Sequence, residues 1–167
     1  MNRPKYQKAI ICGVAGTLAM TVIMLIGPMV GMPKMDMGEM LGTMNPIMEL
    51  PYSLGWMMHF VIGIILAYIY AAFLYDKLPF DGWTRGAIYS LIPFVVMQAM
   101  LGPMMGMGFF SGGDMTAVVA SLIQHLVYGG VMGFVFDYAD SPAAAAVVVE
   151  DASSSEPQVE NVSDSEL

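Results

Sequence analysis

Four stretches of the chain run apolar with no Lys, Arg, Asp or Glu in their interiors: about Ala9–Val30, Leu54–Tyr75, Gly86–Met107 and Thr116–Phe136. A bilayer core roughly 30 Å thick takes about 20 helical residues to cross, so each stretch predicts a transmembrane helix. The first follows a basic leader of Arg3, Lys5 and Lys8 and has the look of a signal peptide. It is too long for one, carries Pro28 and has no small-residue cleavage site behind it. Between the first two stretches, Pro33–Leu50 is too polar to cross and too apolar for a free loop. Methionines and leucine recur there every two to four residues among Asp36, Glu39 and Glu49, which predicts a short helix lying in the outer interface. After Tyr138 the pattern breaks: Ser141-Pro142 ends the last helix, and the residues beyond predict an acidic, disordered tail over 140–167.

The pattern also repeats. Gly27-Pro28-Met29-Val30-Gly31-Met32 returns 75 residues later as Gly102-Pro103-Met104-Met105-Gly106-Met107, and Gly38-Glu39-Met40 returns at the same offset as Gly113-Asp114-Met115. Each copy is followed by a histidine with glycine four residues on, His59 with Gly63 and His125 with Gly129. The expectation is an all-α membrane protein of four spans over residues 1–139, built as two tandem helical hairpins at about 9–76 and 84–138. Two spans per repeat give both copies one orientation, so their symmetry axis lies along the membrane normal.

Composition sharpens this in two places. Only 12% of residues are charged, against about 25% in a soluble domain. The net charge of −8 belongs to the tail, since seven of the 14 acidic residues lie within 140–167, which has no Lys or Arg. Arg3, Lys5, Lys8, Lys77 and Arg85 fall on one side of the predicted membrane and only Lys34 on the other. The positive-inside rule then places both termini in the cytoplasm and both Gly-Pro-Met segments on the outer face of an inner membrane. The single cysteine, Cys12, permits no intrachain disulfide.

The first span opens Gly-x-x-Gly-Thr-x-x-Met-Thr, here Gly13, Gly16, Thr17, Met20 and Thr21, and Thr84-Arg85-Gly86 leads into the third. In these motifs, over about residues 9 to 137, the chain resembles a family of uncharacterised four-helix bacterial and archaeal inner-membrane proteins. The resemblance implies the same topology and brings no established activity.

Chemistry is concentrated in a few side chains. His59 and His125 lie inside spans, where an ionisable group marks a site by default. Either they hydrogen-bond neighbouring helices, or they ligate a metal or haem, or they move protons. Nineteen methionines, many near the two outer segments, supply soft thioethers that select Cu(I) alongside imidazole, or else simply pack. A soft-metal site would draw on His59, His125, Met32 and Met107. Asp114 either caps the last helix or forms with Ser121 and His125 a polar stripe running inward, and Glu39 is its counterpart in the first repeat. Pro28 and Pro103 either kink their helices around a vestibule or end them. Phosphate-binding loops, Cys-x-x-Cys pairs, zinc-protease motifs and nucleophile elbows are missing from the sequence, and six basic residues give nucleic-acid binding no support. The function expected is therefore non-enzymatic: binding or passage of a small ligand, a soft metal such as copper being the most specific, at an outer-facing site between the repeats. Two alternatives stand beside it, a structural subunit of a larger membrane complex or homo-oligomer, and a redox protein with the two histidines as axial haem ligands.

Overall fold

The computed structural model describes residues 5–45, 47–139 and Ser141. The acidic tail expected at 140–167 otherwise lies outside them. The described residues are helical, without strands, and contain four helices long and apolar enough to cross a membrane: Lys5–Val30, Tyr52–Leu74, Gly82–Met104 and Met115–Tyr138, here spans one to four. The chain is a multi-pass membrane protein.

What is buried and what is exposed are reversed relative to a soluble bundle. Thr17, Ser90, Gln98, Ser121 and Gln124 are buried, while Val22, Leu25, Ile92 and Phe134 are more than half exposed. In water this distribution would be unstable. In hydrocarbon it is the favourable one, since lipid wets the aliphatic surface and the interior satisfies the polar groups.

Glycines set how closely the helices approach. A Cβ on Gly63 would fall 1.9 Å from the Thr17 hydroxyl of span one, and one on Gly13 would fall 2.7 Å from the backbone at Ile64. Spans three and four meet in the same way: a Cβ on Gly86 would lie 1.9 Å from the Gly129 carbonyl, and one on Gly129 would lie 2.5 Å from Ser90. A Cβ on Gly16 would meet the Tyr128 carbonyl at 2.7 Å, joining spans one and four. Backbones therefore pack two on one, one on four and four on three, whereas spans two and three do not pack closely along their length.

One end of the bundle carries the two longer connectors, 31–51 and 105–114; the other carries Lys5, Ala139 and the 75–81 turn. At the connector end the two prolines terminate their helices. Pro28 sits in the 3-10 turn Gly27–Val30, closed by Gly31 at φ 90° with Met32 donating to the Gly27 carbonyl at 3.0 Å. Pro103 sits in Gly102–Met104, closed by Gly106 at φ 78° with Met107 donating to the Gly102 carbonyl at 2.9 Å. The expected interfacial helix is reduced to one π-helical turn, Glu39–Thr43. Asp36 starts it by accepting from the Gly38 and Glu39 amides and from the Tyr52 hydroxyl. At the terminal end, Asp137 of span four accepts from the Gly82 amide at 2.7 Å, capping span three, and pairs with Arg85 at 3.6 Å. Arg85 also lies over the Tyr75 ring, 4.4 Å from its centre.

Candidate functional site

A cavity of about 320 Å³ lies within the bundle, lined from the connectors down to Leu74 of span two, and both His59 and His125 line it. His59 comes from the buried face of span two, held beside Gly55 and Gly63. His125 comes from span four, between Ser121 and Gln124 on one side and Tyr128 on the other, all three of which also face the cavity. Spacings of one, three and four residues along a helix put these groups on a single face.

Hydrogen bonds define the imidazoles. His125 Nδ1 lies 2.7 Å from the Ser121 carbonyl oxygen, which has no proton to give. Nδ1 therefore carries the proton, and Nε2 keeps its lone pair. The Thr21 hydroxyl spends its own proton on the Thr17 carbonyl at 2.8 Å, so it accepts from His59 Nε2 at 3.4 Å and leaves Nδ1 of that ring as the lone-pair nitrogen. No Asp or Glu lines the cavity to offset an imidazolium, so both rings are read as neutral, each fixed through one nitrogen with the other making no hydrogen bond among the described residues. Trp56 stands edge-on to His59 at 6.0 Å and Phe94 edge-on to His125 at 5.7 Å.

Thioethers line the same cavity: Met20 of span one, Met97 of span three, Met107 of the second connector, and Met35, Met37 and Met40 of the first. The Asp36-capped turn folds these last three over it as a roof, so the methionine spacing read as an interfacial helix reflects packing onto the bundle. No three His, Cys, Asp or Glu residues converge among the described residues. A metal here would rest on imidazole and thioether donors, with no carboxylate or thiolate on the cavity wall.

The other candidates separate. Met107 and Ser121 join the histidines, but Met32 does not: it lines a second, open pocket with Val30, Gly31 and Met115. Asp114 is exposed at the start of span four and accepts from the Thr116 and Ala117 amides at 2.9 and 3.2 Å. It is an N-cap, standing apart from the Ser121–His125 stripe. Glu39 is also exposed and outside the cavity, and the cap in its connector is Asp36. Sequence reasoning passed over Gln98, Gln124, Tyr89 and Tyr128, all on the cavity wall. The glutamines carried a signal, since two carboxamides inside predicted spans are as much in need of explanation as two imidazoles.

Over residues 4–147 the chain matches the model of a family described as "Family of unknown function (DUF6789)". Neither a curated protein nor a solved structure matches it.

Proposed function

The chain belongs to the family DUF6789, and we propose that it is a non-enzymatic membrane protein that binds or passes a small ligand in this cavity, with a soft metal ion such as Cu(I) the ligand its donors fit best. One observation carries the reading: two neutral imidazoles, each with a free nitrogen, share one cavity with six thioethers. Thioether sulfur and imidazole nitrogen are the donors that select Cu(I) over harder cations. The Nδ1–H to carbonyl bond of His125 is the arrangement that commonly fixes a ligating imidazole.

The proposal includes the tandem repeat and its orientation. Thr17 and Gly13 lie against Gly63 as Ser90 and Gly86 lie against Gly129, and the two Gly-Pro turns close on Gly31 and Gly106 alike. This supports a duplicated hairpin with one histidine from each copy at the shared site. The distribution of positive charge supports an inner-membrane protein with the connectors, and hence the cavity roof, facing outward.

Cu(I) titration of the purified protein against a competing chelator tests the reading. One tightly bound ion is expected, and His59→Gln with His125→Gln should weaken it at least about tenfold while leaving the melting temperature unchanged. A parent that binds no Cu(I), or a double variant that binds it as well as the parent, overturns the proposal.

A further inference from the structure

We infer that the cavity opens sideways into the bilayer between spans two and three, and admits an uncharged, lipid-soluble amphiphile whose hydroxyl or carbonyl head bonds the Gln124 carboxamide. The inference shares the cavity with the metal reading but uses different groups.

The opening follows from an asymmetry. Span one packs closely on span four, and a duplicated hairpin would pack span three on span two in the same way, yet it does not. The two meet toward the terminal end, where the Tyr89 hydroxyl donates to the Leu66 carbonyl at 2.7 Å and the Tyr70 and Tyr89 rings lie 5.2 Å apart. Toward the connector end span three departs from a regular helix, with Pro93 inside it and a π-helical stretch at Met97–Leu101. There Ile62 of span two and Ile92 and Val96 of span three line the cavity while staying 38 to 52% exposed. A residue that is both cavity wall and outer surface marks a mouth, and at this depth the surrounding medium is acyl chain.

The depth of the cavity is different in kind. Gln124 is 2% exposed and Ser121 4%, both face the cavity, and neither side chain has a hydrogen bond among the described residues. Gln98 reaches it from span three with its Oε1 taken by the Ser111 hydroxyl at 3.0 Å, leaving its NH₂ to donate. Unpaired carboxamides in hydrocarbon are costly, so a partner that enters through an apolar mouth and carries one polar group is favoured. None of the lining residues is Lys, Arg, Asp or Glu, so a charged head has no counter-ion there. The result is a gradient from aliphatic rim to amide and imidazole interior, which an amphiphile matches end to end.

Photolabelling of the full chain in nanodiscs tests this, using a diazirine-bearing decanol and the matching diazirine decane. The alcohol should label Ile62, Ile92 and Val96 saturably, unlabelled decanol should compete, and the decane should not concentrate there. Gln124→Leu should weaken the alcohol's labelling by about tenfold, the loss of one buried hydrogen bond. Ile92→Trp, at a position 52% exposed, should block the mouth and abolish it. Labelling spread equally over Leu18, Val22 and Phe134, or unchanged by both variants, overturns the inference. Cu(I) titration and photolabelling are both read on the unsubstituted protein. Failure of the amphiphile arm alone therefore removes the lipid-facing entry, and failure of the copper arm alone removes the metal.

Discussion

The Tyr128 phenol of span four donates to the Gly63 carbonyl of span two at 2.7 Å, crossing the bundle beside the cavity. Spans two and four are not close neighbours, so this bond and the Tyr89–Leu66 bond are what tie the backbone of span two to the second hairpin. Tyr128→Phe keeps the ring and removes the bond. Thermal unfolding in detergent should show a loss of about 1 kcal/mol, the usual worth of an interhelical hydrogen bond in a membrane protein. No loss would mean that the phenol holds nothing.

Adjacent glycines in span four should respond in opposite directions. A Cβ on Gly129 would lie 2.2 Å from the Gly86 carbonyl, while one on Gly130 meets only the Trp83 carbonyl at 3.9 Å. Glycine is worse than alanine in a helix by about 1 kcal/mol, so Gly130→Ala should be neutral or stabilising. Gly129→Ala must push two backbones apart, which should cost about 2 kcal/mol or more, as overpacking does. Equal melting temperatures for the two variants would refute the close packing of spans three and four.

Much of this was legible in the chain, and the reason is physical. Hydrocarbon forbids unsatisfied backbone, so an uncharged apolar run of sufficient length has one solution, and all four spans appear within about four residues of where the pattern puts them. Of the site residues the sequence offered, His59, His125, Met107 and Ser121 line one cavity. Met32 and Glu39 were misplaced because equal sequence offset does not fix which way a connector turns. Asp36, two residues before Gly38, captured the cap of the first connector, and that turned Met35, Met37 and Met40 inward. The gap between spans two and three had no sequence signal at all. It depends on which pairs of helices find glycine contacts, and Gly13, Gly16, Gly86 and Gly129 announce close packing without naming a partner.

At the terminal end two aspartates flank Arg85, and they differ in burial. Asp81 pairs with it at 3.3 Å from a fully exposed side chain, whereas Asp137 is partly buried and also holds the Gly82 amide. Surface pairs are worth little, so Asp81→Asn should leave the melting temperature unchanged. Asp137→Asn removes the charge facing Arg85, whose side chain is mostly buried, and weakens the cap on span three. It should destabilise by roughly 1–3 kcal/mol. If the two variants melt together, the inward-facing ion pair does not hold this end closed.

Orientation makes the last prediction, and it bears on every account of the cavity, because the roof must face the side from which a soluble ligand arrives. Thr43 is exposed on the first connector and Lys77 is exposed in the turn at the opposite end. Cys12, the one native thiol, is fully buried, and Cys12→Ala removes any background. With five of six positive charges on the terminal side, Thr43→Cys should react with a membrane-impermeant maleimide in intact cells, and Lys77→Cys should react only after lysis. The reverse pattern would turn the roof toward the cytoplasm. A protein so oriented would meet cytosolic copper, which is held by strong thiol ligands, and two imidazoles with thioethers would compete poorly for it. The lateral mouth, by contrast, would open into the bilayer in either orientation. Reversed labelling would therefore count against the soft-metal reading and leave the amphiphile site as the account of this cavity.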